Sequence, residues 1–208
     1  MLTAKHQKLI LIDFDHTLFN TTRFVQRLKE VFQSRGVSEQ EFQEKRMALK
    51  DCCHLDDIDT FVDKFSYPDK KDLHDLIHTV IVNEAHTFIF DDVRSFFEEH
   101  AAEFDIIILT QGDKEMQAEK VEHSNLIYDV PLIITGGEKE IAIRDVVTQY
   151  KKIYFIDDKA VNIDRMKKAY PQIETYFLKR EDVRPYADLP STCGCADHVI
   201  ADLREKLL

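Results

Sequence analysis

Asp13 and Asp15 stand two residues apart in KLILIDFDHTL (Lys8–Leu18), and a second acidic pair, Asp157-Asp158, closes a later apolar run, IYFI. Carboxylates at period-two spacing point the same way as an extended segment runs out. A charge is costly to bury without a partner, so acids at the ends of buried strands call for a cation or a proton. Convergence of Asp13 and Asp158 would give a hard-oxygen site suited to magnesium, which takes a few carboxylates with water and substrate phosphate. There a carboxylate can attack a phosphoryl group and form an acyl phosphate, splitting one hard displacement into two easier ones. Asp15 would protonate the leaving alkoxide and later take a proton from water. Taken alone, Asp15-His16-Thr17 also reads as a polar loop.

Thr110, in ILTQG, can offer its hydroxyl to phosphoryl oxygens, together with the backbone amides that follow it. A lysine is wanted to neutralise the remaining charge. Lys139 opens a helical pattern just after Gly136-Gly137, ahead of the second acidic pair. Lys120 is its rival, but with Glu119 and Glu122 around it, it reads as part of a solvated helix face.

The elements that must position these residues alternate. Leu9–Ile12, Phe104–Leu109 and Ile153–Ile156 are short apolar runs of the kind that fill strands buried on both faces. Val130–Thr135, Glu174–Leu178 and His198–Ile200 read as further strands. Helical spacing recurs between them, with Asp91 or Asp92 as the cap of a helix through His100, then Lys114–His123, Lys139–Tyr150, Val161–Ala169 and a closing helix at Ala201–Leu208. From Asn20 to Phe90 the pattern is all-helical: Phe24, Val25, Leu28, Val31 and Phe32 lie on one face, and Ser38 with Glu41 forms a capping-box signature. Arg184–Cys195 is a long loop. The expected architecture is α/β, a Rossmann-like parallel core (1–19 and 91–208) with an inserted helical cap (20–90). In such sheets ligands sit beyond the carboxyl ends of the strands, where Asp13, Asp15, Thr110, Asp157 and Asp158 gather.

Composition sets the remaining bounds. The 208 residues are 44% hydrophobic and 32% charged, with 28 Lys plus Arg against 39 Asp plus Glu and a net charge of −11. That balance argues against a nucleic-acid polymer or an anionic membrane as partner. A small phosphorylated metabolite is still compatible, because a local cation overrides the global field. The absence of a long apolar run makes cytoplasmic the expected location, and oligomeric state is not readable. The pairs Cys52-Cys53 and Cys193-Gly194-Cys195 lack zinc spacing; even with His54 and His198 nearby, free thiols are expected.

Together these motifs resemble the haloacid dehalogenase-like superfamily of aspartate-nucleophile phosphohydrolases: IDFDHTL at 12–18, ILTQG at 108–112, Lys139 in GGEKEIAI, and FIDDKAVNI at 155–163. The resemblance implies Asp13 as nucleophile and Asp15 as acid/base, with the Asp15 carbonyl also meeting Mg2+. It implies Thr110 and Lys139 as phosphoryl-binding groups and Asp158 as metal ligand ahead of Asp157; Asn162 and Asp164 read as supports of the fourth-motif loop. It further implies that residues 20–90 form a cap that selects substrate. Asp15 favours phosphoryl transfer over dehalogenation, which needs neither a leaving-group acid nor a metal. A magnesium-dependent phosphatase of small monoesters is therefore expected. The alternatives are a phosphomutase or a non-catalytic binding protein on the same fold. A Schiff-base lysine among Lys29, Lys45, Lys50 and Lys64 would be needed for phosphonate cleavage, and none has an apolar setting.

Overall fold

The computed structural model describes residues 4–52, 58–126, 129–180 and 194–205, without the side chains of 48–52. Six strands, β1 (Lys8–Ile12), β2 (Phe104–Gln111), β3 (Leu132–Thr135), β4 (Lys152–Asp157), β5 (Glu174–Leu178) and β6 (His198–Ile200), form one sheet in the order β3-β2-β1-β4-β5-β6. Every pairing is parallel. This is the α/β parallel core expected from the apolar runs. β1 sits in the middle, and Leu9 to Ile12 are wholly buried, which is why that run carries no polar residue on either face. Burial of each such side chain contributes roughly 1.5–3 kcal/mol.

The described residues also form eight α-helices: α1 (Thr21–Gln33), α2 (Glu39–Cys52), α3 (Ile58–Asp63), α4 (Lys70–Glu84), α5 (Val93–His100), α6 (Lys114–Glu122), α7 (Lys139–Ala142) and α8 (Ala160–Ala169). The chain divides into two compact units: residues 1–20, 89–111 and 126–208, which hold the sheet, and residues 21–88 with 112–125, which are helical. In the sheet unit, Leu9, Leu11, Ile107, Leu109, Ile153 and Phe155 project from one face onto Ile163 and Met166 of α8. On the other face an aromatic row runs Phe96, His100, Phe104, Tyr154 and Tyr176, with ring centroids 4.7–6.2 Å apart. In the helical unit, Phe32, Phe42, Phe61 and Phe65 pack ring to ring at 5.0–6.1 Å, a core rather than a stacking platform. No described helix is long and apolar enough to cross a membrane.

Five local expectations need correction. The amphipathic stretch at Lys139–Tyr150 is helical only through Ala142, then proceeds by turns and a 3₁₀ turn at Val147–Gln149. Asp92 precedes α5 but makes no side-chain cap bond; its carboxylate is taken by Arg180. Ser38 caps Glu41 N–H at 3.1 Å, but Glu41 accepts from Ser66 N–H instead of reaching back, so the box is half formed. Residues 201–205 make bends and turns rather than a helix. Helix α6, read from sequence among the core elements, groups with the helical unit. Of the Arg184–Cys195 loop, 184–193 lie outside the described residues, as do Cys53, His54, Cys193 and the end of the closing helix at 206–208.

Candidate active site

The strand order reverses beside β1: β2 and β3 lie to one side, β4 to β6 to the other. Such a switch point opens a crevice at the carboxyl ends of the two strands that flank it. Ile12 is paired with Ile156, and Asp13 N–H extends the ladder to Ile156 C=O at 3.0 Å, so Asp13 and Asp157 emerge side by side. On the other flank Ile12 pairs with Ile108, which places buried Thr110 at the adjoining strand end. After Asp13 the chain curls into a tight loop. Leu18 and Phe19 N–H both donate to Phe14 C=O at 2.9 Å, and His16 N–H donates to Phe19 C=O at 2.7 Å. His16 takes a left-handed φ of 62° to close this loop, and Asp15 is half-buried within it.

Lys139, at the start of α7, is buried and directs its ammonium to two acids at once. It donates to Asp13 Oδ1 and, at 2.7 Å, to Asp157 Oδ2. Burial alone would depress this lysine, but the two carboxylates outweigh it and hold the ammonium above its usual range. Burial pushes Asp13 up to about 6 against the pull of Lys139. Asp157, wholly buried, also accepts Lys159 N–H on Oδ1 at 2.8 Å and the Asn162 side-chain amide on both oxygens. Its oxygens are thus committed within the protein. Asn162 supports the fourth-motif loop, as the sequence implied.

Asp158 differs. Its Oδ1 is buried and makes no hydrogen bond, and burial, then repulsion from Asp13 and Asp157, raises its pKa well above the usual carboxylate range. One oxygen from each of Asp13, Asp157 and Asp158 lies within 4.8 Å of the others. A buried orphan oxygen among converging carboxylates fits a hard divalent cation. Lys159 is the group that sequence reading missed: its ammonium is raised by Asp13, Asp158, Asp157 and Asp15 together, against the opposing effect of burial. Four acids thus face two ammoniums, an imbalance that one divalent ion offsets. Its place in FIDDKAVNI, directly after the acidic pair, was the available signal.

Lys120 is not on a solvated face, contrary to the expectation from its acidic neighbours. It is 2% exposed, with Nζ 3.3 Å from Gln117 Oε1 and 5.7 Å from the Phe24 ring centre within the helical unit. Also in that unit, His78 bonds Glu119 at 2.6 Å and His74 meets Asp59 at 3.3 Å. Cys195 is an exposed free thiol, and His198 bonds Glu174 at 3.0 Å.

The family model for haloacid dehalogenase-like hydrolases matches residues 10–150. The chain belongs to that family. Among solved structures, this haloacid dehalogenase-like hydrolase is similar to a protein of Burkholderia xenovorans described as a haloacid dehalogenase-like hydrolase (18% identity, 95% of this chain and 94% of that one, TM-score 0.75). It is also similar to a HAD-hydrolase of Bacillus subtilis described as bound to magnesium (13%, 97% and 97%, TM-score 0.64) and to the L-2-haloacid dehalogenase of Xanthobacter autotrophicus (14%, 94% and 94%, TM-score 0.65). At these identities the likeness shows the fold. No curated protein matches the chain.

Proposed function

We propose that this hydrolase is a magnesium-dependent phosphatase acting on small phosphate monoesters through an aspartyl phosphate on Asp13. The observation that carries this reading is Asp158, a third carboxylate with a buried, unbonded oxygen beside Asp13. Displacement of halide from carbon needs no cation and no leaving-group acid, whereas a third carboxylate beside the nucleophile suits a divalent ion that neutralises a phosphoryl group. Asp13, Asp158 and the Asp15 carbonyl would hold Mg2+, with Asp157 behind them, and the ion would supply charge neutralisation for the phosphoryl oxygens.

The Asp13 carboxylate attacks phosphorus as the ester P–O bond breaks, and Asp15 gives its proton to the departing alkoxide. Asp15 then takes a proton from water, whose oxygen attacks phosphorus and releases Asp13. Lys139 keeps the Asp13 carboxylate aimed and charged beside an incoming anion, and Thr110 donates to the phosphoryl group. Residues 20–90 would select the ester, a small phosphorylated metabolite.

The test is phosphate release from p-nitrophenyl phosphate with and without Mg2+, beside chloride release from a 2-chlorocarboxylate. Magnesium-dependent phosphate release that vanishes in Asp13→Asn, with the fold kept, is expected. Chloride release without phosphate release would overturn the reading.

A further inference from the structure

We propose that the buried Arg180–Asp92 pair is a positioning device that fixes the loop carrying Asp15. Arg180 follows β5, and Asp92 precedes α5; neither belongs to the four motifs. The guanidinium meets Asp92 in fork geometry, Nη1 to Oδ2 and Nη2 to Oδ1, both at 2.9 Å. Nη2 also donates to the Thr17 carbonyl at 2.8 Å, two residues beyond Asp15. Thr17 is wholly buried, so its carbonyl has no water to turn to.

The same guanidinium lies 3.9 Å from the Phe90 ring centre, while Phe90 N–H donates to Leu18 C=O at 3.1 Å. Asp92 Oδ2 additionally accepts Leu203 N–H at 2.8 Å. The loop from Phe14 to Phe19 is therefore tied inwardly to the Phe14 carbonyl and outwardly at Thr17 and Leu18. An apolar pair of equal volume would stabilise the fold as well as a buried ion pair does. What it could not do is place a directional donor on Thr17, a task that suits a rigid fork and not an ammonium. Release of that carbonyl frees the segment that aims Asp15.

The kinetic part of the test rests on the phosphatase reading; the exchange part does not. In the full chain, Arg180→Met, Arg180→Lys and Asp92→Asn are compared with wild type by amide hydrogen exchange and by turnover of p-nitrophenyl phosphate. Exchange at Leu18, Phe19 and Phe90 should accelerate at least about tenfold in both Arg180 variants while β1 amides keep their wild-type rates. The kcat should fall about tenfold or more with KM nearly unchanged, and Arg180→Lys should not rescue it. Should Arg180→Met not fold, Arg180→Lys and Asp92→Asn carry the test. Wild-type exchange in the loop, or acceleration spread evenly over the sheet, overturns the proposal. A wild-type chain without phosphatase turnover removes the catalytic reading and leaves exchange to decide the clamp.

Discussion

The Asn162 amide nitrogen lies 3.1 and 3.0 Å from the two carboxylate oxygens of Asp157, anchoring from α8 an acid that β4 delivers. With Lys159 N–H and the Lys139 ammonium as its other donors, Asp157 is held in place from three sides. Asn162→Ala removes a donor from a buried carboxylate and should cost about 1–3 kcal/mol. The check is the urea midpoint, which should drop at constant slope. An unchanged midpoint would mean the amide is dispensable.

Lys139 ties Asp13 to Asp157, and its removal leaves two buried acids facing each other. Lys139→Met should destabilise the chain by about 3–5 kcal/mol, the range for breaking one side of a buried ion pair. Turnover should fall about 10²–10³-fold from loss of a preorganised donor. Denaturant titration and single-substrate kinetics measure the two losses separately. Retention of full activity would remove Lys139 from the site.

Some of this was legible in the chain and some was not, for reasons that follow from what local pattern encodes. The run Leu9–Ile12 reads as a doubly buried strand, and in a parallel sheet acids ending such strands emerge at one edge. That logic located Asp13, Asp157 and Asp158. Lys120 failed because sequence neighbours Glu119 and Glu122 say little about the side on which its own stem lies; the surroundings came from Phe24, almost a hundred residues earlier. Asp92 failed likewise. It has the residue type and place of a helix cap, yet a partner 88 residues away outcompetes the local amides. The apolar spacing after Lys139 suggested a long helix, but Ile143 and Val146 reach the same core from successive turns.

Asp158 and Asp157 should separate in their response to magnesium. Titration calorimetry on wild type should show binding of Mg2+ that Asp158→Asn weakens by tenfold or more, on the order of losses seen for groups around metal sites. Because an ion that binds only the folded state stabilises it, Mg2+ should raise the wild-type melting temperature and leave that of Asp158→Asn almost unmoved. Equal affinities in the two proteins would place the ion elsewhere.

Asp197 gives the fold an acid-sensitive lock. Its Oδ2 accepts from Lys167 Nζ at 2.7 Å and from Thr175 N–H and hydroxyl at 2.8 and 2.9 Å, which pins the entry to β6 against β5. Partial burial would raise this carboxyl, but Lys167 and Thr175 outweigh it and hold it below its ordinary 3.8. With the folded value below the unfolded one, the unfolded chain takes up the proton first, so the stabilisation is whole above the unfolded value and fades as pH falls through the folded value. Allowing for solvent screening of a half-exposed group, its size is about 1 kcal/mol. Asp197→Asn should therefore melt below wild type at about pH 6, and the gap should narrow as pH falls through the ordinary 3.8 toward the lower folded value. Melting curves across that range decide it, and a gap that stays constant would show that the carboxylate charge contributes nothing to holding β6.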